Sequence, residues 1–245
     1  MDYNEFNLRK NFILEEALVP FGISSKYKFI DATKINNDYI IEEGIKHKVK
    51  DKFPVYVIIT WTNTAFGKVI SAVTDCRYSH VAMSLDSSLK KLYSFNLVNH
   101  TGQKLGGFSI ETLKGYLKDY QNSLMCVYTI FLDKIKFETL KKNIDWFISN
   151  VKKTHYSFIN ILAFGLHLPL QLSNMMVCSQ FVDTMLKKIG VNVTNKRSSQ
   201  VSAASFYKSD SEYLYKCYEG EIQKYKPGIV NNIVNKIKNT ANVCS

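Results

Sequence analysis

Apolar residues recur along this chain with two periods. From Phe53 to Trp61 they run almost unbroken and are rich in β-branched side chains, which predicts a buried strand. His80 to Leu85 alternates, with Val81, Met83 and Leu85 on one face and His80, Ala82 and Ser84 on the other. Asp86-Ser87-Ser88 is a turn, and Lys91 to Asn96 returns as a third strand, so this stretch predicts a hairpin that carries His80. Met125 to Leu132 predicts a further strand. Elsewhere the period lengthens. Phe137 to Val151 places Leu140, Ile144, Phe147 and Ile148 on one helical face. Val177 to Ile189 does the same with Phe181, Val182, Met185, Leu186 and Ile189, and stops at Gly190, the expected residue for a left-handed cap. Ala65 to Val73 fits a short helix. Gly106-Gly107 breaks the chain, and Ser109 is placed to cap a helix through Tyr120, with Glu111 at its positive end.

Both ends read as additions to this body. Residues 1–50 are mixed and charged, and Phe6, Phe12, Ile13 and Leu18 predict an N-terminal helical extension ended near Pro20. In residues 227–245, Ile229, Val230, Ile233, Val234 and Ile237 line one face of an amphipathic helix. That face is open to two readings: docking on the protein's own core, or a peripheral membrane or protein partner. The expected organisation is therefore an extension, a domain over 51–226 and a terminal helix.

Composition narrows the classes. The net charge of +11 is carried almost wholly by lysine, with arginine only at Arg9, Arg77 and Arg197. Base reading and bidentate phosphate contacts favour arginine. The excess thus reads as solubility and weak attraction to anionic surfaces, with no specific nucleic-acid partner. The acidic, polar start (Met1-Asp2-Tyr3-Asn4-Glu5) lacks the plan of a signal peptide. The apolar stretch Phe158 to Leu172 is broken by His167 and Pro169 and is too short to span a bilayer. The expectation is a protein made in a cytosol. Five irregularly spaced cysteines suit reduced thiols rather than a disulfide framework, and the absence of CxxC or HxxH pairs argues against zinc.

Two segments carry candidate chemistry: Tyr78-Ser79-His80-Val81-Ala82 and Val177-Cys178-Ser179-Gln180-Phe181-Val182. A free thiol titrates near pH 8.5 and is mostly inert at neutrality; backbone N–H groups at a helix start and a nearby imidazolium favour the thiolate. Cys178 lies about one turn before the apolar stripe of its helix and on its side, so it points inward at the helix mouth. His80 opens a strand on that strand's small, polar face. A thiol at a helix start facing an imidazole on a strand is a working geometry for a thiol hydrolase.

Taken together, these segments resemble the circularly permuted branch of the NlpC-type papain-like superfamily, which includes lecithin-retinol-acyltransferase-like proteins and many bacterial and phage hydrolases. The matching pieces are Ser79-His80-Val81-Ala82, then Leu92-Tyr93-Ser94-Phe95, then Val177-Cys178-Ser179-Gln180-Phe181-Val182. Val201-Ser202-Ala203-Ala204-Ser205-Phe206 stands where the family has an "SPxD"-type segment, without its proline and acid. The resemblance covers roughly residues 54–225. It implies an α+β fold, with a small antiparallel, partly barrel-like sheet and packed helices in permuted papain-like order. It further implies a hydrolase or acyltransferase in which Cys178 is the nucleophile and His80 the base, with no cofactor. The substrate would hold an amide or ester bond, in a cell-wall peptide or a lipid or acyl compound, and a virion component or an enzyme released on lysis fits the family's range. The third position, which the family fills with a carboxylate, histidine or amide, falls by alignment on Ser94, with Asn96 two residues on as the alternative. A serine there also keeps open a non-catalytic binding or structural module on the same scaffold.

Overall fold

The computed structural model describes residues 52–61, 68, 70–71, 74–97, 106–115, 123–157 and 175–240. The strands are β1 (Phe53–Trp61), β2 (His80–Ser84), β3 (Leu92–Asn96), β4 (Gly107–Glu111), β5 (Leu124–Leu132), β6 (His155–Tyr156), β7 (Met175–Met176) and β8 (Tyr215–Glu221). The helices are α1 (Lys134–Ser149), α2 (Cys178–Lys188), α3 (Ala203–Tyr207) and α4 (Pro227–Thr240). Six strands form one sheet in the order β4-β3-β2-β1-β5-β8, with every neighbouring pair antiparallel. The fold is α+β. Strands β4 and β8 are the edges, so among the described residues the sheet does not close on itself.

The sheet is buried on both faces. Val55, Val57 and Ile59 of β1 face one core with Val81 and Met83, while Tyr56 and Ile58 face another with Ala82 and Leu92. Burial of both faces accounts for the unbroken apolar run of β1. Helices α1 and α2 fill the first side. Four rings lock them to the sheet: Phe95 and Phe108 from β3 and β4, Phe147 from α1 and Phe181 from α2, with centroids 5.4 Å apart for Phe95–Phe181 and 5.1 Å for Phe147–Phe181. The second side receives α4 through Val230 and Val234, both buried. Those two residues of the apolar face expected for the terminal helix are therefore docked on the protein's own core.

Local chemistry sets the boundaries. Asp133 caps α1 by accepting from the Lys136 amide at 2.8 Å. Helix α2 ends in paired bonds from Gly190 N to Lys187 O and from Val191 N to Leu186 O, each 3.0 Å, with Gly190 at φ 69°. This is the Schellman arrangement, and only a residue free of a Cβ penalty adopts that φ easily.

One expected helix starts later than its sequence signal suggests. Ser109 is not its cap: it sits inside β4, paired with Ser94, and Glu111 pairs with Leu92, while Leu113, Lys114 and Gly115 are helical after Thr112, whose Oγ1 accepts from the Gly115 amide at 3.0 Å, and 116–120 lie outside the described residues. Phe108 and Ile110 alternate with Ser109 and Glu111, a period of two, and pairing with β3 overrides the cap-like Ser-x-Glu signal. Strand β8 was not foreseen, because its sequence Tyr-Lys-Cys-Tyr-Glu-Gly-Glu buries only Cys217 at this edge. Lys68, Ile70, Ser71 and Thr74 are helical, and the rest of the expected Ala65–Val73 helix lies outside the described residues. So do the N-terminal extension over 1–50 and the apolar stretch from Phe158 to Leu172.

Candidate active site

Three elements bring the candidate residues together. His80 opens β2, opposite Thr60 of β1. Glu111 closes β4. Cys178 is the first residue of α2, directly after the extended residue Val177. Helix α2 packs on β2 and β3, and Phe181, one turn beyond Cys178, is buried in the ring cluster. The thiol is thereby carried beside the His80 ring, close enough to raise its pKa. His80 Nε2 lies 3.1 Å from Glu111 Oε2.

The residue beside the imidazole is Glu111, in the place the sequence reading gave to Ser94. The Ser94 hydroxyl is buried and donates to Val81 O at 2.7 Å, a bond that ties β3 to β2. Asn96 is in the cluster but acts on the carboxylate: its Nδ2 donates to Glu111 Oε1 at 3.2 Å. Ser109 Oγ donates to the same oxygen at 3.0 Å. Tyr156, buried on β6, completes the surroundings. Burial first, then the neighbouring Cys178 and Glu111, push its phenol well above the ordinary value. The parallel pairing of Tyr156 with Met176 places it two residues before Cys178 on the adjoining strand. No sequence signal marked Tyr156; the two-residue pairing that places it is a tertiary contact.

The electrostatics favour a charged ring. Burial by itself lowers the His80 pKa, but the Glu111 carboxylate and Cys178 raise it, and the net position is well above an ordinary histidine. An imidazolium beside a thiol at a helix start stabilises a thiolate, and the same imidazolium is an acid for a leaving group. The site is closely packed: Cys178 is 6% exposed and the His80 side chain 13%. Two hydroxyls next to His80, Thr60 Oγ1 and Ser79 Oγ, are buried without a hydrogen-bond partner among the described residues.

The start of α2 is fixed by its own polar residues. Ser179 Oγ donates to Val201 O at 2.6 Å, Gln180 Nε2 to Ser199 O at 3.2 Å, and Gln180 Oε1 accepts from the Val177 amide at 3.3 Å. Further along, the fully buried Asp183 accepts from Thr194 Oγ1 at 2.8 Å and Ser198 Oγ at 2.6 Å and pairs with Lys187 at 2.7 Å. Segment 194–201 thus holds the helix that carries the thiol. A groove of about 810 Å³ lies elsewhere, along residues 192–196 and 208–213, and is lined by none of His80, Glu111 or Cys178.

Among the described residues no group of three His, Cys, Asp or Glu side chains is placed to hold a metal ion, and no helix is long and apolar enough to cross a membrane. No family model matches the chain, and no curated protein matches it.

Proposed function

We propose that this protein is a thiol-dependent hydrolase or acyltransferase that acts on an amide or ester bond through Cys178 and His80, with Glu111 orienting the ring. The observation that carries the reading is that His80 has both the Cys178 thiol and the Glu111 carboxylate as neighbours. His80 takes the thiol proton, and the thiolate attacks the carbonyl carbon. Backbone N–H groups of the first turn of α2 hold the oxyanion. The intermediate collapses with loss of an amine or alcohol, which His80 protonates, and water or another acceptor cleaves the thioester.

The order of elements, histidine strand first and cysteine helix late, supports placing the fold with the circularly permuted papain-like branch. A carboxylate is among the groups that branch uses beside its histidine, and Glu111 supplies one where Ser94 does not. The substrate classes are a cell-wall peptide and a lipid or acyl ester. The lysine-rich surface favours approach to either anionic wall or anionic membrane.

The test is the reactivity of Cys178. Iodoacetamide labelling across pH, with the modified cysteine mapped by mass spectrometry, is expected to show fast labelling below pH 7 that His80→Ala abolishes. Labelling no faster than that of Cys76 or Cys217 would remove the catalytic reading. It would favour a non-catalytic binding module on the same scaffold, the reading that the 6% exposure of Cys178 supports.

A further inference from the structure

Glu111 is held by more than His80. Its two oxygens have different partners: Oε1 accepts from Asn96 Nδ2 at 3.2 Å and from Ser109 Oγ at 3.0 Å, and Oε2 faces His80 Nε2 at 3.1 Å. Ser109 is buried on the same strand, two residues before Glu111. Asn96 closes β3 and pairs with Gly107 at the start of β4. Both donors therefore belong to the β3–β4 hairpin. A carboxylate free on both oxygens turns about its last bond. With one oxygen tied to two donors, the other has a fixed direction, and hydrogen bonds to the charged form also favour it.

We propose that Asn96 and Ser109 are positioning residues for the thiol reaction, fixing one oxygen of Glu111 so that the other stays aligned on His80. This rests on the reading of Cys178 and His80 as the reacting pair. Each acts through the carboxylate. The titratable groups that face this arrangement are His80 from β2, Glu111 from β4, Tyr156 from β6 and Cys178 from α2. Asn96 and Ser109 do not ionise, so their removal takes no charge of its own from the site and acts through the carboxylate, by its alignment and by the stability of its charged form.

The experiment uses the full chain with Asn96→Ala, Ser109→Ala and Ser109→Thr, which keeps the hydroxyl. Two quantities are read: the titration midpoint of the His80 ring by NMR, and the pH profile of Cys178 labelling by iodoacetamide. The alanine variants are expected to shift the His80 midpoint down by about one pH unit and to slow labelling near pH 7 about tenfold. Ser109→Thr is expected to keep the wild-type midpoint. A merely structural role would lower thermal stability and leave the midpoint of the folded protein in place, and that result would overturn the proposal. Ser109→Ala is the smaller change and is read alone if Asn96→Ala does not fold. Wild-type labelling that is independent of His80 would sink the thiol reading itself; His80-dependent labelling unchanged by the variants would sink only the role of Asn96 and Ser109.

Discussion

Glu111 Oε2 lies 3.1 Å from His80 Nε2, although the two residues are 31 positions apart and β3 runs between their strands. The ring's raised pKa depends on that carboxylate against the opposing effect of burial. Glu111→Gln keeps the shape and removes the charge, so the His80 pKa is expected to fall. The sign of the stability effect follows. A folded pKa above the unfolded value of about 6.5 contributes stability that is fully present below pH 6.5 and is lost as pH rises through the folded value. Glu111→Gln is therefore expected to cost about 3 kcal/mol near pH 6 and progressively less at alkaline pH. Urea unfolding at a series of pH values measures it, and a cost independent of pH would contradict the ion pair.

Thr60 stands opposite His80 and is 1% exposed, with a hydroxyl that has no partner among the described residues. A buried hydroxyl without a partner destabilises the fold, and an apolar group of the same shape removes the penalty. Thr60→Val is expected to stabilise the protein by about 1 kcal/mol, read as a higher melting temperature. Cys178 labelling decides what the hydroxyl is for. An unchanged rate makes it a structural defect, and a slowed rate makes it part of the site.

Asp183 is fully buried and ties α2 to Thr194, Ser198 and Lys187. Asp183→Ala leaves the hydroxyls of buried Thr194 and half-buried Ser198 without this acceptor and is expected to cost about 3 kcal/mol in thermal or denaturant unfolding. Because segment 194–201 also receives Ser179 and Gln180, faster amide exchange there and at the start of α2 is expected with it. A loss below about 0.5 kcal/mol, the range of ordinary surface changes, would show that Asp183 is not an anchor.

Gly106 has φ +70°, and a Cβ there would meet the Asn96 carbonyl and lie 2.8 Å from Leu97 O. The backbone conformation and the crowding both exclude a side chain. Gly106→Ala is expected to cost about 2 kcal/mol and, by displacing the end of β3, to slow Cys178 labelling as well. A variant that melts like the wild type would show that the β3–β4 connection adjusts freely.

Much of the frame was readable from one dimension. The apolar run of β1, the alternation around His80, the helical stripe behind Cys178 and the stop at Gly190 depend on periods and caps that neighbouring residues set among themselves. The candidate pair was readable for the same reason: each residue sits at the start of a local element. The partner of His80 was not. Ser94 and Asn96 lie on β3, the strand that follows His80's own in the hairpin, whereas Glu111 reaches the ring only because β4 adds to β3 in antiparallel register. Locally, Ser109-Ile110-Glu111 fits a helix cap as well as a strand, and pairing across the sheet decides between them. The same holds for Tyr156, which a two-residue parallel bridge to Met176 carries to the site, and for β8, an edge strand whose polar sequence has no period of its own. Local sequence determines which residues are able to start a strand or a helix. Long-range pairing, whose stabilisation comes from partners distant along the chain, decides which side chains meet.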